Sequence, residues 1–170
     1  MNALATSSVP GVAPSVSTPS FSKNDISIAT RAADQFTRLY YTAYDAKTRL
    51  VDLPSFYRPG SSISWNGTHK QGVDGIRELI VNMPPTHHDV KSFDCHPIPG
   101  GTSPPSLLLT VSGNVLHGHG PPSKDRGTVE GHARVFHQTF MLIPDQEATS
   151  HLAGEVGKYY IIADAFRFVG

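Results

Sequence analysis

The chain has one cysteine, Cys95, in 170 residues. This excludes an internal disulfide framework and any zinc site built from several thiolates, and it fits a reducing compartment. No stretch of about 18 apolar residues occurs, so no helical membrane span is expected. Neither charge is in excess, with 14 Lys and Arg against 14 Asp and Glu, so no global field draws the chain to nucleic acid or an anionic membrane, and any RNA contact has to be local. The opening segment has no basic residue before Lys23 and resembles neither a secretory signal nor a mitochondrial presequence. Its Ser, Thr, Val and Ala content, broken by Pro10, Pro14 and Pro19, offers too little large apolar surface to offset chain entropy. A disordered tail over 1–24 and one folded domain over 25–170 are expected.

What is present begins with a helical pattern. Ile28, Ala32, Phe36, Leu39, Tyr40 and Ala43 recur every three or four residues, with Arg31, Asp34, Gln35 and Arg38 between them, the pattern of a long amphipathic helix capped by Asp25 or Ser27. A shorter helical stretch is expected over 46–56, with Pro54 near its end. Ser61 to Trp65 reads as a strand, Asn66-Gly67 as a hairpin turn and His69 to Gln71 as the returning strand. Val73 to Met83 is a third helix, stopped by Pro84 and Pro85. Four strands follow, over 88–98, 106–116, 132–143 and 158–169, separated by Gly- and Pro-rich turns. Helices that precede a strand meander imply an α+β fold, a curved antiparallel sheet with helices packed on one face.

The last strand carries the sharpest signal. In YYIIADAFRFVG, strict alternation places Tyr160, Ile162, Phe166 and Phe168 on one face and Tyr159, Ile161, Ala163, Ala165, Arg167 and Val169 on the other. Apolar residues on both faces imply that both must be covered. Helices of this chain can cover one face; another protein is expected on the second, with Arg167, Tyr159, Ile161 and Ala165 in that contact.

Collinear strings then point to a family: RAADQFTRLYYTAYD at 31–45, WNG at 65–67, FDCHPIP at 93–99, FHQTFML at 136–142 and DAFRF at 164–168. Together they resemble the nuclear transport factor 2-like family, whose fold is a cone of curved sheet and helices, and within it the small-subunit branch of heterodimeric mRNA export receptors. That resemblance implies a non-enzymatic adaptor with no cofactor, no small-molecule substrate and no membrane contact. It implies residence in the nucleus and at the nuclear pore, with shuttling to the cytoplasm. Its implied partners are the receptor's large subunit, which contributes a similar domain, and Phe-Gly repeat nucleoporins, with RNA carried through the complex. It also implies that Arg167 pairs with an acidic residue of the large subunit. A buried charge without a partner costs several kcal/mol, so such an arginine selects an acidic partner over a second copy of itself.

Two alternatives of other kinds are open. A homodimeric carrier of GDP-bound Ran, in the same family, presents a glutamate after the strand tryptophan and an acidic loop. This chain has Asn66 at the first position, and His117, Gly118, His119 and Gly120 at the second. Isomerase- or dehydratase-type enzymes of this fold set acid and base groups inside the cone, which makes Asp94, His96 and His137 candidates if they converge. Cys95 points away from Asp94 and His96 and reads as a small core residue. Asp164 reads as a satisfied core carboxylate or as part of a network with His137 or Gln138. His117 and His119 form an H-x-H pair that needs a third ligand such as His132 to hold a metal, and no metal is expected. The long segment 118–131 resembles the extended loops of the fungal small subunit. Lys124, Arg126, His132 and Arg134 are its candidate contacts to RNA or a partner.

Overall fold

The structure is a computed structural model, and it describes residues 21–100, 104–118, 133–145 and 158–169. Most of the expected tail (1–20) and the loop positions Lys124, Arg126 and His132 lie outside the described residues.

The first helix, α1, spans Lys23–Asp45. Ser22 caps it: its hydroxyl accepts the Asp25 N–H while the Asp25 carboxylate reaches back to the Ser22 N–H, a reciprocal capping box. Asp25 is therefore the box's third residue and not the cap, and the helix starts at Lys23, five residues before Ile28, the first residue of its apolar pattern. The expected second helix is shorter, α2 at Arg49–Asp52, and passes into a 3-10 turn at Leu53–Phe56. Pro54 has no N–H to give to an α-helical ladder, but sits in the first turn of the tighter helix without loss. The third helix, α3, is Gly72–Val81 and buries Ile76 and Ile80.

The strands are β1 (Tyr57–Trp65), β2 (Thr68–Gln71), β3 (Thr86–Ile98), β4 (Ser106–His117), β5 (Arg134–Pro144) and β6 (Tyr159–Phe168). They form one curved, unclosed sheet in the order β2-β1-β6-β5-β4-β3. The meander from β3 to β6 is antiparallel, as is the β1–β2 hairpin. The β1–β6 pair is parallel, so the sheet is mixed and not wholly antiparallel. The first and last strands meet because the chain closes on itself after the meander, where a hairpin cannot set their direction. At the β1–β2 turn, Asn66 (φ 46°) and Gly67 (φ 89°) both occupy the left-handed region that a two-residue hairpin turn requires.

The described helices lie on one face of this sheet. Phe36, Tyr40, Tyr41 and Tyr44 of α1 pack on Leu107, Leu109 and Val111 of β4, Phe136 and Phe140 of β5, and Ile161 and Phe166 of β6. Phe140 is the hub, with its ring 4.8 Å from Tyr40 and 5.3 Å from Phe36. Gly113 has a separate reason: a Cβ there would stand 2.3 Å from the Asp89 carbonyl oxygen, where β3 bulges between Val90 and Ser92. The close approach of two backbones excludes any side chain.

Candidate functional site

The outer face of the sheet differs from its sequence reading at one point. β6 pairs with β5 through Leu142–Ile161 and then Met141–Ala163, leaving Ile162 as an extra residue. One inserted residue reverses every later side chain. Tyr159 and Ile161 therefore share the inner face with Asp164, Phe166 and Phe168, and both are buried in this chain's own core. Ala165 and Arg167 point outward and are exposed. Of the four residues expected in one contact, the fold brings Ala165 and Arg167 together and turns Tyr159 and Ile161 away. The Tyr159 hydroxyl donates instead to the Pro105 carbonyl at 2.9 Å.

Around Arg167 the outer face carries small and mildly polar side chains together with the exposed Val135 and Val169. His137 is its direct cross-strand neighbour, followed along β5–β6 by Thr139 with Ala165 and by Met141 with Ala163. β4 adds Ser112, Thr110 and Leu108 opposite those β5 residues, and β1 adds Ser62 and Ser64. Among the described residues, neither Arg167 nor His137 has an ion pair or hydrogen bond from its side chain, and no helix lies on this side.

The inner face is closed. Asp164 is buried and fully engaged: the Tyr57 hydroxyl donates to its Oδ2 at 2.7 Å, Gln138 Nε2 donates to its Oδ1 at 2.8 Å, and the Tyr40 hydroxyl lies 3.4 Å away. The Tyr41 hydroxyl donates to Gln138 Oε1 at 2.8 Å. Burial pushes the Asp164 carboxyl up to about 6, against the pull of its bonds from Gln138, Tyr57 and Tyr40. Burial, then the Asp164 charge, drives the Tyr40, Tyr41 and Tyr57 phenols well above their usual range. Of the two partners expected for Asp164, Gln138 is in the network and His137 is on the opposite face.

The groups weighed for catalysis do not converge. Asp94 and His96 pair with each other at 3.0 Å on the exposed side of β3. Cys95 turns inward beneath α1, its thiol directed at the Ala29 carbonyl, and burial together with the Asp94 charge pushes it up to about 11. A thiol held protonated and under a helix is no nucleophile. His117 is described, while His119 and His132 lie outside the described residues; among the described residues no three metal-binding side chains cluster. No described helix is long and apolar enough to cross a membrane.

Sequence reading passed over a pair at the C-terminal end of α1. Asp45 accepts the His88 N–H (2.7 Å), the Thr86 hydroxyl (2.7 Å) and His88 Nδ1 (2.6 Å), joining the helix to β3. Burial pulls the Asp45 carboxyl up, but the His88 and Thr86 contacts outweigh it and hold it below the usual range. The pair borders an open groove of about 600 Å³ between α1 and β3, with Tyr41, Val90 and Phe93 in its wall. The His88 side chain is only 1% exposed and packed by the rings of Tyr41, Tyr44 and Phe136, which makes it an anchor and not a base facing solvent.

At the far end of the sheet, Phe168 is ringed by Trp65, His117 and Arg134, whose guanidinium lies 3.6 Å from the ring centroid. The Asn66 side-chain carbonyl meets the Phe168 N–H at 3.5 Å. The Trp65 indole N–H is buried without a partner of hydrogen-bonding geometry among the described residues, beside the Tyr44 hydroxyl. Arg134, expected in a loop contact, is thus engaged at this rim.

A long helix laid across the inner face of a curved six-stranded sheet, with a polar network sealed between them, defines the α+β cone fold. The nuclear transport factor 2 (NTF2) domain model matches residues 32–168, and the chain belongs to that family. The NTF2-related export protein of Caenorhabditis elegans is 31% identical over 139 residues, 79% of this chain and 84% of its own length. Nuclear transport factor 2 of Schizosaccharomyces pombe is 30% identical over 137 residues, 79% of this chain and 91% of its own. Among solved structures, Mtr2 in complex with the Chaetomium thermophilum Mex67 NTF2-like domain superposes with a TM-score of 0.65 at 20% identity. It covers 84% of this chain and 99% of the matched one. Nuclear transport factor 2 of Cryptosporidium parvum superposes at 0.60 and 24% identity, over 83% and 94%. These two likenesses are of fold.

Proposed function

We propose that this chain is a non-enzymatic adaptor, the small subunit of a heterodimeric mRNA export receptor, whose outer sheet face packs on the similar domain of the large subunit. One observation carries the reading: a sheet face on which no described helix lies, with small and exposed apolar residues, where Arg167 stands without a partner among the described residues. A cation in that setting matches a carboxylate on an opposing sheet. Relatives named as export proteins and the likeness to Mtr2 in its complex with a Mex67 domain support the choice of partner. In this reading the pair shuttles between nucleus and cytoplasm, meets Phe-Gly repeats in the pore and carries RNA through the complex.

The Ran-carrying alternative needs acidic groups at the rim beside the strand tryptophan. The described groups around Phe168 are Asn66, His117 and Arg134, neutral or cationic, which speaks against that grip. The enzyme alternative needs converging acid and base groups, and Asp94 and His96 stand on the exposed side of an edge strand.

Calorimetric titration of the full chain with the NTF2-like domain of its organism's Mex67-type large subunit tests the reading. Arg167→Glu is expected to weaken binding by about a hundredfold or more, since it sets like charges together and leaves a carboxylate unpaired. Equal affinity of variant and wild type removes Arg167 from the interface. A tight homodimer that ignores the large subunit overturns the whole reading.

A further inference from the structure

We propose that the free edge of β3 takes up a short extended peptide at one place, between Val90 and Phe93, where the edge opens into the groove beside α1. This edge is a different surface from the outer face read above as the heterodimer contact.

β3 ends the sheet, so one side of its backbone has no ladder partner among the described strands, and such an edge is a template for another strand unless it is blocked. Register shows which residues face that side. Gly118 donates to the Pro85 carbonyl at 2.9 Å, and bonded and non-bonded pairs alternate along an antiparallel ladder. The even-numbered residues of β4 therefore bond to β3. The partners of its odd-numbered residues turn their backbone groups outward, and from His88 onward these are His88, Val90, Phe93, Cys95 and Pro97.

Both ends of this row are closed to a new strand. The Asp45 carboxylate takes the His88 N–H at 2.7 Å. The Asp94 carboxylate takes the Cys95 N–H at 2.9 Å and is itself held by His96, and Pro97 has no N–H to offer. The exposed Asp94–His96 pair thus closes the edge. Val90 and Phe93 stay open on either side of the bulge. Their side chains line the groove with Tyr41 of α1, and Phe93 is 38% exposed.

Polar side chains of the groove are engaged within the chain. The Tyr41 hydroxyl donates to Gln138 and the Thr37 hydroxyl to the Ala33 carbonyl, while Asp45 is bonded to His88 and Asp34 to Arg38. Beside the groove, Lys91 pairs with Asp89. The groove therefore offers backbone hydrogen bonding and an apolar wall, with these charges neutralised in pairs. The matching occupant is an uncharged, extended peptide that bonds through its own backbone and sets one large apolar side chain against Val90 and Phe93. The bulge and the closed positions keep it short, and they disfavour pairing of two β3 edges from two copies of this chain.

The test is a titration of the isotope-labelled full chain with the capped peptide acetyl-Ser-Thr-Ser-Phe-Ser-Thr-Ser-amide, followed by amide NMR shifts. The Val90 and Phe93 amides are expected to shift most, and those of His88 and Cys95 least. Replacing the peptide's Phe by Ala, or Phe93→Ser in the chain, should weaken binding about tenfold or more, with the circular dichroism of the variant unchanged. N-methylation of the peptide backbone on both sides of its Phe should abolish binding. Asp94→Ala frees the Cys95 N–H and should extend the shifts to Cys95, while Asp94→Asn, whose side-chain carbonyl still accepts, should not. Arg167→Glu should leave this titration unchanged, so the edge and the heterodimer contact fail separately. Absence of shifts at millimolar peptide, shifts confined to the outer face, or equal binding of the Ala or N-methylated peptide overturns the proposal. So does a dimer of the chain alone that the peptide dissociates, which would make a second copy the occupant.

Discussion

The two faces of the sheet are made of the same strands, yet follow opposite chemistry. The inner face is aromatic and tightly packed: Phe36, Tyr40, Phe136, Phe140 and Phe166 interlock, and the buried carboxylate of Asp164 has a donor for each oxygen. The outer face mixes Ala, Ser and Thr with exposed Leu108, Val135 and Met141, and carries Arg167 without a partner among the described residues. In the proposed reading, the inner face carries the fold and the outer face, with its unpartnered cation, meets another molecule. On that reading, substitutions on one face should disturb stability and substitutions on the other should disturb binding.

The largest effect is expected at the hub of the inner face. Phe140→Ala removes a fully buried ring in contact with Phe36 and Tyr40 and should cost about 3–5 kcal/mol in urea unfolding. A loss under about 1 kcal/mol would mean that the inner face is not the chain's main core, and the contrast between the faces would collapse.

A smaller effect, with a sign set by pH, comes from Asp164. Its folded carboxyl is raised to about 6, above the ordinary unfolded value of about 3.9. Its contribution to stability is therefore fully present below about 4 and is lost as pH rises through about 6. A rise of that size corresponds to roughly 3 kcal/mol. Asp45, held below its usual range, acts the other way and loses its contribution as the medium turns acid. Asp164→Asn keeps the shape of the protonated carboxyl and removes the titration. Its stability relative to wild type should rise by about 2–3 kcal/mol between pH 4 and pH 7, read from urea midpoints. A difference that stays flat would show that Asp164 does not titrate in the folded chain.

These contrasts also explain what the sequence made legible. Periodicity of three and four marked α1 and α3, Asn66-Gly67 marked the β1–β2 turn, and the strand run marked the meander, because each is a local pattern repeated over many residues. The faces of β6 were not legible. A bulge such as the one at Ile162 depends on the register of a partner strand, and YYIIADAF is apolar on both sides of the insertion. Strict alternation therefore assigned Tyr159 and Ile161 to the wrong face while placing Ala165 and Arg167 together. The Asp45–His88 pair joins positions 43 residues apart, beyond any local pattern. One signal did exist, since an aspartate in the last turn of a helix opposes the helix dipole and calls for a partner elsewhere.

The smallest expected effect tests the outer face itself. Ala165 sits midway along it, exposed, between Ser64 of β1 and Thr139 of β5. Replacing it with the longer, uncharged Gln adds bulk where the free chain meets solvent, so unfolding stability should change by no more than about 0.5–1 kcal/mol. The same side chain would hold an opposing sheet off a surface whose packing depends on small residues about 10 Å from the partner's backbone. Ala165→Gln should therefore leave the urea midpoint near wild type and weaken binding to the Mex67-type domain. A destabilisation approaching that of Phe140→Ala would show that the outer face is already covered within this chain, and that its role is to fold and not to recognise.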